Sequence, residues 1–121
     1  MKLKTYQYQM SVCQVVNYDN ADLTKPFTFI ATTDEEHSLV CETQYVPDNV
    51  VKRDDGWMMF RIEGILDFSL IGILSKISTI LANHQIGLFA VSTYNTDYIL
   101  VKVKDFNKAM TILKDEGYEI I

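Results

Sequence analysis

The chain has 121 residues and a net charge of −5, and hydrophobic residues make up 48% of it. This length suits one larger domain or two very small ones, and the composition predicts a packed core rather than disorder. The acidic balance argues against a nucleic-acid-binding face, since phosphates attract basic residues. No apolar run approaches the roughly 18 residues of a membrane span, and no signal-peptide core follows Met1, so a cytoplasmic protein is expected.

Alternation of apolar and polar residues with a period of two predicts strands in the first half of the chain. The predicted strands cover residues 6–14, 27–32 and 39–46. The last two are expected to form an antiparallel hairpin around a polar turn. No convincing pair of helices precedes residue 52. The polar connector over residues 47–56 is therefore the predicted boundary between an abbreviated unit, residues 1–55, and a complete unit, residues 56–121.

The second half predicts a strand, a helix, two strands, a helix and a strand, in that order. The strand over residues 86–91 is an almost continuous apolar run, which predicts burial on both faces. Asp105 is the predicted N-cap of the second helix, and Gly117 is its predicted C′ residue. This βαββαβ order predicts an α+β fold.

The two cysteines, Cys13 and Cys41, each lie in an apolar, strand-like run. Two buried free thiols in a reduced compartment are predicted, and a disulfide between neighbouring strands is the alternative. The sequence has no C-x-x-C or H-x-x-x-H spacing. Neither a metal site nor a cofactor is therefore expected.

Catalytic side chains do not form a recognisable motif. The sequence has no G-x-S-x-G, no H-E-x-x-H and no P-loop, and its serines lack a partner base. Asp67 and Asp97 could act as paired carboxylates, but no neighbouring residue would drive their pKa values apart. The protein is predicted not to be an enzyme.

The turn before the first predicted helix, residues 63–72, is one candidate binding segment. Gly72 is predicted in the first helical turn, where glycine costs roughly 1 kcal/mol relative to alanine, and a close backbone or ligand approach would explain it. The unpaired N–H groups of a helix start suit a carboxylate. Asp67 and Ser69 are equally well explained as helix caps.

The polar tip between the two middle strands is the other candidate segment. Thr93, Asn95, Thr96 and Asp97 supply hydroxyl, amide and carboxylate groups that suit an ammonium or guanidinium group of a small ligand. The alternative is an ordinary hydrophilic turn, since Asn and Asp tolerate turn dihedral angles. The residues alone leave both interpretations open.

Residues 57–121 resemble the ACT domain, the βαββαβ regulatory module of amino-acid metabolism. The glycine-bearing turn, the N-x-x-I-G-L motif at residues 83–88 and the closing Gly-Tyr pair carry this resemblance. The motif S-T-Y-x-x-D-Y-I-L-V at residues 92–101 is similar to that of the cytosolic arginine sensors and small bacterial double-ACT proteins. Residues 32–41, T-T-D-E-E-H-S-L-V-C, are similar to the first-half motif of the bacterial members.

This resemblance implies tandem ferredoxin-like ACT units with antiparallel sheets and helices on one face, the first unit being abbreviated. It also implies a non-catalytic regulatory protein that binds a small amino acid or related metabolite, and a homodimer is expected, because an abbreviated unit leaves surface to cover. A dimerisation module that has lost its ligand is the alternative. The implied ligand-binding residues are Asp67, Ser69, Ile71, Gly72, Thr93, Tyr94, Asn95 and Asp97.

Overall fold

The computed structural model describes residues 1–63 and 72–121, and the chain divides into two compact units. The larger unit comprises Met1–Gln7 and Met58–Ile121, and the smaller unit comprises Tyr8–Trp57. The described elements are β1 (Lys2–Val15), β2 (Phe29–Thr32), β3 (His37–Glu42), a 3-10 helix (Thr43–Tyr45), β4 (Val50–Ile62), α1 (Ile73–Asn83), β5 (Phe89–Ser92), β6 (Asp97–Lys102), α2 (Val103–Asp115) and β7 (Glu119–Ile120).

The larger unit has the predicted βαββαβ order, formed by β4, α1, β5, β6, α2 and β7. Its strands follow the order β1-β4-β6-β5, and β7 pairs with β1. The β5–β6 pair is antiparallel, whereas the short β7–β1 pair is parallel. The predicted α+β class is confirmed. The first residues of β1 are an addition that the sequence did not predict, and they lie between β7 and β4.

The core of the larger unit lies between its sheet and its two helices. α1 buries Ile77 and Leu81 there, and α2 packs Phe106 against Phe60 of β4 with ring centroids 6.5 Å apart. Each such buried apolar side chain contributes roughly 1.5–3 kcal/mol to folding. Both helices therefore cover the same face of the sheet, as predicted.

The smaller unit has the strand order β2-β3-β1-β4. Residues 8–57, all of which the structure describes, contain no α-helix. Its core is formed by Cys13, Val15, Leu39 and Cys41, and loop residues such as Tyr18 and Ala21 pack against it. Both thiols are buried and free, as predicted. Burial, followed by the nearby Cys13, raises the pKa of Cys41 to about 12.

Several predicted boundaries were wrong. The predicted connector at residues 47–56 is mostly β4, whose Lys52–Asp55 segment is exposed yet extended. Charged side chains suit an exposed strand and keep it from pairing with other chains, so polarity alone did not mark a loop. The third predicted strand ends at Glu42, before the 3-10 helix. Met1–Gln7 packs with the larger unit, although it precedes the smaller one in the chain.

The apolar run at residues 86–91 was predicted to be buried on both faces, and this was wrong. The strand is β5, Phe89–Ser92, and its residues are half-buried or exposed. β5 ends the strand order and pairs with β6. Ile86 is buried, but it precedes the strand. A continuous apolar run therefore belonged here to an edge strand.

The two hairpins of the chain repeat each other with a spacing of 60 residues. β2 and β3 begin at Phe29 and His37, and β5 and β6 begin at Phe89 and Asp97. The register repeats as well, since Phe29 pairs with Val40 where Phe89 pairs with Leu100. β3 and β6 also share one pattern of burial. The backbone frame of one hairpin is thus present twice.

Candidate functional site

The start of α1 is built on a left-handed glycine. Gly72 is the N-cap of α1 with φ of 80°, and the N–H of Lys76 donates to its carbonyl at 2.8 Å. The prediction that Gly72 lies within the first helical turn was therefore wrong, and its positive φ is the reason for glycine at this position. The first-turn N–H groups of α1 have no partner within the helix. The predicted residues Asp67, Ser69 and Ile71 lie outside the described residues.

The tip of the β5–β6 hairpin is held by two threonines. The N–H of Thr93 donates to the carbonyl of Thr96 at 2.8 Å, and the Thr93 hydroxyl donates to the same carbonyl at 3.0 Å. The Thr96 hydroxyl donates to the carbonyl of Ile62 at 2.8 Å, and Thr96 is 4% exposed. Thr96 therefore fastens the tip to β4, whereas Tyr94 and Asn95 are exposed on the turn.

Asp97 lies at the base of this turn as a half-buried carboxylate. The Ser92 hydroxyl donates to its Oδ1 at 2.6 Å, across a pair that β5 and β6 place directly opposite each other. A short hydrogen bond to a carboxylate fixes the position of that group. Asp97 is thus a positioned acceptor at the end of the sheet.

Three hydrogen bonds bring several strand ends together at this end of the larger unit. Besides the Thr96–Ile62 bond, the N–H of Glu63 donates to the Lys2 carbonyl at 2.9 Å, and the N–H of Glu119 donates to the Met1 carbonyl at 3.0 Å. The last residues of β4, the start of β1 and the start of β7 therefore meet at one sheet end. The hairpin tip lies at the same end.

A recess of about 250 Å³ opens at the start of α1, and it too is at this end, because Met1 and Gly72 both line it. Of the predicted site residues, Gly72 is the one found among its described lining residues; Thr93, Tyr94, Asn95 and Asp97 are not. The structure thus puts the tip and the helix start at one sheet end without a shared described pocket. The remaining described lining residues are Ile73, Lys76, Glu116, Gly117 and Tyr118.

Sequence reasoning missed Lys76 and Glu116 as candidate site residues. A signal was present, because Lys76 lies in the first turn of a helix and Glu116 directly follows the last turn of another. Tyr118 closes the recess and is 8% exposed. Its pKa is raised by burial and, to a lesser degree, by the negative charge of Glu116. The recess therefore has a charged group on either helix and a buried aromatic wall.

Arg61 is engaged by its neighbours at the same sheet end. Its guanidinium donates to the Glu63 carboxylate at 3.2 Å and to the Tyr98 hydroxyl at 3.4 Å. The hydrogen bond to Tyr98 is the main reason why the pKa of Arg61 is raised. Arg61 is thus held by side chains of its own sheet. Within residues 1–63 and 72–121, no cluster of side chains that could ligate a metal is present.

A comparison with protein families bears directly on this arrangement. The model of the ACT domain matches residues 52–115, which is more than half of the chain. The chain belongs to the ACT domain family. The matched segment of this ACT protein contains Gly72, the hairpin tip and the whole of α2. Among curated protein sequences, none matches significantly.

Solved structures resemble this ACT protein over nearly its whole length. The Agobacterium tumefaciens protein Atu0741 is 30% identical with a TM-score of 0.87, and the match covers 99% of this chain and 91% of that one. A Vibrio cholerae protein of unknown function, described as a possible transport protein, is 18% identical with a TM-score of 0.70, covering 93% and 86%. At that identity the likeness shows the fold alone.

The aspartate kinase of Clostridium acetobutylicum, described as an allosteric enzyme, is 14% identical with a TM-score of 0.67. The match covers 95% of this chain but 34% of the kinase, so it concerns one part of a longer protein. It again shows the shared fold. In the described part of the ACT protein, neither helix has the length and apolar character needed to cross a membrane.

Proposed function

We propose that this ACT protein is a non-catalytic regulatory module of the cytoplasm that binds a small amino acid or related metabolite. The observation that carries the proposal is the positioned carboxylate of Asp97, which lies at the same sheet end as the start of α1. Membership of the ACT family supports a regulatory role, as does the likeness of the fold to part of an allosteric aspartate kinase.

In the proposed pose the ligand lies between the helix start and the hairpin tip. N–H groups near Ser69 to Gly72 hold its carboxylate, since a helix start favours anions. Asp97 and the Thr93 carbonyl hold its ammonium, and Tyr94 and Asn95 flank it. Ser92 supports the pose because it fixes the Asp97 carboxylate before the ligand arrives.

The ligand is to be found by a thermal-shift screen across the twenty amino acids, with hits confirmed by equilibrium dialysis. We expect at least one amino acid to raise the Tm of the wild-type protein at millimolar concentration. Asp97→Asn retains an acceptor for Ser92 but removes the charge, and it should abolish the shift. Asp34→Ala, in the exposed turn of the other hairpin, is the matched control and should keep it. If no amino acid raises the Tm, the proposed function is wrong.

The repeated hairpin favours a tandem relationship between the two units. Its 60-residue spacing and shared register support the proposal that the smaller unit is an abbreviated ACT unit, as in double-ACT proteins. We further propose a homodimer, supported by the apolar residues on the edge strand β5. Light scattering coupled to size-exclusion chromatography tests this, and a monomeric mass at high micromolar concentration would contradict it.

A further inference from the structure

Both thiols of the smaller unit lie beneath a connecting segment rather than beneath a helix. Cys13 of β1 and Cys41 of β3 belong to one buried cluster and are 4% and 2% exposed. The partly buried residues that pack against this cluster are Tyr18, Ala21, Val46 and Val50. The first two lie in residues 16–28, which join β1 to β2 and are called the strap below. Access to the thiols therefore depends on where the strap lies.

Exposed polar contacts hold much of the strap in place. The side-chain amide of Asn49 donates to the Asn17 carbonyl at 3.2 Å, and that of Asn20 donates to the Asp48 carboxylate at 2.8 Å. Water competes for hydrogen bonds at such positions, so the net contribution of each is small. Residues 16–28 contain neither a helix nor a strand. A segment held in this way opens at a lower free-energy cost than the packed core of a sheet.

The strap reaches β2 through a residue in an unfavourable conformation. Phe27 has φ of 61°, in the left-handed region that bulky side chains rarely adopt. Such strain persists only where surrounding contacts maintain it, and the Phe27 ring lies 5.4 Å from that of Tyr8 between centroids. When the strap opens, Phe27 can return to ordinary backbone angles. The strain at this junction therefore favours opening.

Burial keeps both thiols unreactive while the strap is closed, because the thiolate is the nucleophile. Burial raises the pKa of Cys13, whereas the positive charge of Arg53 lowers it and that of Asp55, being negative, raises it to a lesser degree. Burial and the neighbouring Cys13 raise the pKa of Cys41 to about 12. When the strap opens, the effect of burial is lost and the charge of Arg53 remains. Cys13 is therefore the more reactive thiol of the open protein.

We propose that Cys13 is a modification site that exchanges with a small-molecule disulfide, such as glutathione disulfide, when the strap opens. The thiol loses its proton to water, and the thiolate attacks one sulfur of the disulfide. The new S–S bond forms as the old one breaks, and the released thiolate takes up a proton. The Cys13 sulfur is oxidised and the released sulfur is reduced. Because the close-packed core has no room for the added group, the adduct holds the strap open.

The register of β1 and β3 favours this mixed disulfide over a bond between the two cysteines. Cys13 lies opposite Leu39, and Cys41 lies opposite Ser11. The two cysteines are thus diagonal neighbours, and residues so placed lie roughly 7–8 Å apart. A disulfide usually joins residues whose Cα atoms are less than about 7 Å apart. The strands would have to move before Cys41 could displace the group on Cys13.

Incubation of the wild-type protein with glutathione disulfide, followed by intact mass measurement and peptide mapping, tests the site. We expect the mass to rise by one glutathionyl group, mapped to Cys13 and removed by dithiothreitol. Cys13→Ala should abolish the rise, whereas Cys41→Ala should keep it. No rise, or a glutathionyl group on Cys41 alone, would overturn the proposal. A loss of two hydrogen atoms in its place would show a bond between the cysteines and would also overturn it.

The urea dependence of the exchange rate separates opening of the strap from unfolding of the whole chain. The slope of an opening free energy against urea scales with the surface that opening exposes. Below the unfolding transition, exchange through the strap should therefore depend only weakly on urea. A rate that rises as steeply as the unfolded fraction would show that the strap does not control access to Cys13.

Two variants within the strap test which contacts keep it closed. Tyr18→Phe removes the hydroxyl that donates to the Ser38 carbonyl at 3.0 Å and should speed exchange about threefold to tenfold. Thr24→Ala is the matched control, because the Thr24 hydroxyl donates to Asp22 within the strap itself. It should leave the exchange rate unchanged. An equal rise in both variants, or none with Tyr18→Phe, would contradict the proposal.

Discussion

The two hairpins have the same backbone frame but different tips. In the β5–β6 hairpin, Ser92 donates to Asp97 and leaves a positioned carboxylate. The residues 60 positions earlier are Thr32 and His37, and both contact Tyr18: the Thr32 hydroxyl donates to the Tyr18 hydroxyl at 3.2 Å, and the His37 ring meets the Tyr18 ring edge-on at 5.3 Å. One frame thus presents an acidic acceptor at one tip, while the other tip serves to dock a loop.

The cover over the two hairpins differs in the same way. α1 and α2 cover the larger unit, whereas loop residues including Tyr18 and Ala21 cover the core of the smaller one. A loop that folds over strands needs anchors, and Tyr18 also donates to the Ser38 carbonyl at 3.0 Å. Residues 8–57 contain no α-helix, and a loop anchored at the first hairpin tip covers the core there instead, which is why we propose a ligand at the second tip alone.

The largest effect should come from deleting equivalent core side chains beneath the two covers. Ile99 and Leu39 occupy equivalent hairpin positions, and both are almost fully buried. Truncation to alanine should cost about 2–5 kcal/mol, and the cost is larger where surrounding groups cannot collapse into the cavity. Urea denaturation should therefore show a greater loss for Ile99→Ala, under two helices, than for Leu39→Ala, under a loop. A greater loss for Leu39→Ala would contradict the expectation that two helices collapse into a cavity less readily than a loop does.

The loss of folding stability at alkaline pH should depend on Cys41, a residue that only the first hairpin carries. Burial raises the pKa of Cys41 from 9.0 to about 12, so the folded protein keeps a proton that the unfolded chain releases. The stabilisation is complete below pH 9 and is lost as the pH rises from 9 towards 12. Cys41→Val copies the equivalent residue Val101 and should flatten this decline in denaturation curves. An unchanged decline would show that Cys41 is not its source.

A smaller effect should separate the two turns. Thr96→Val removes the buried hydroxyl that donates to the Ile62 carbonyl and should cost about 1–2 kcal/mol. Glu36 occupies the equivalent turn position but is exposed, so Glu36→Ala should stay within about 0.5 kcal/mol of the wild type. Equal losses in the two variants, measured by chemical denaturation, would remove the distinction between a fastened tip and a free turn.

The smallest effect on stability should accompany a clear effect on binding. Ser92→Ala deletes the hydrogen bond that positions Asp97 and should cost about 1 kcal/mol of stability or less. Amino-acid affinity should fall several-fold, because the carboxylate must then be ordered by the ligand. Thr32→Ala, the equivalent change in the other hairpin, should leave affinity unchanged in the same titration. A fall in affinity with Thr32→Ala would contradict the assignment of the ligand to one tip.

Local patterns predicted most of the architecture. The βαββαβ order, the β2–β3 hairpin and the glycine after α2 could be derived because turn residues and apolar periodicity mark them directly. The membership in the ACT family followed from motifs in the same region. These are properties that neighbouring residues determine among themselves.

The sequence predictions that were wrong concern properties that residues distant in the chain determine. Whether Phe89–Ser92 is an edge strand depends on what pairs beside it, and the extended conformation of Lys52–Asp55 depends on pairing with β1. The recess could not be predicted because it joins the starts of α1 and β1 with the end of α2. The positive φ of Gly72 could not be predicted for a further reason, because glycine is compatible with both a helix and a left-handed turn.

The central claim is that an amino acid binds at the sheet end of the larger unit and not at the equivalent end of the first hairpin. The most direct measurement is a titration of the ¹⁵N-labelled protein with the best hit of the screen, followed by amide chemical shifts. We predict saturable shifts at residues 72–76 and 93–97, with residues 33–37 unchanged. Saturable shifts confined to residues 33–37, or none at any residue, would contradict the account.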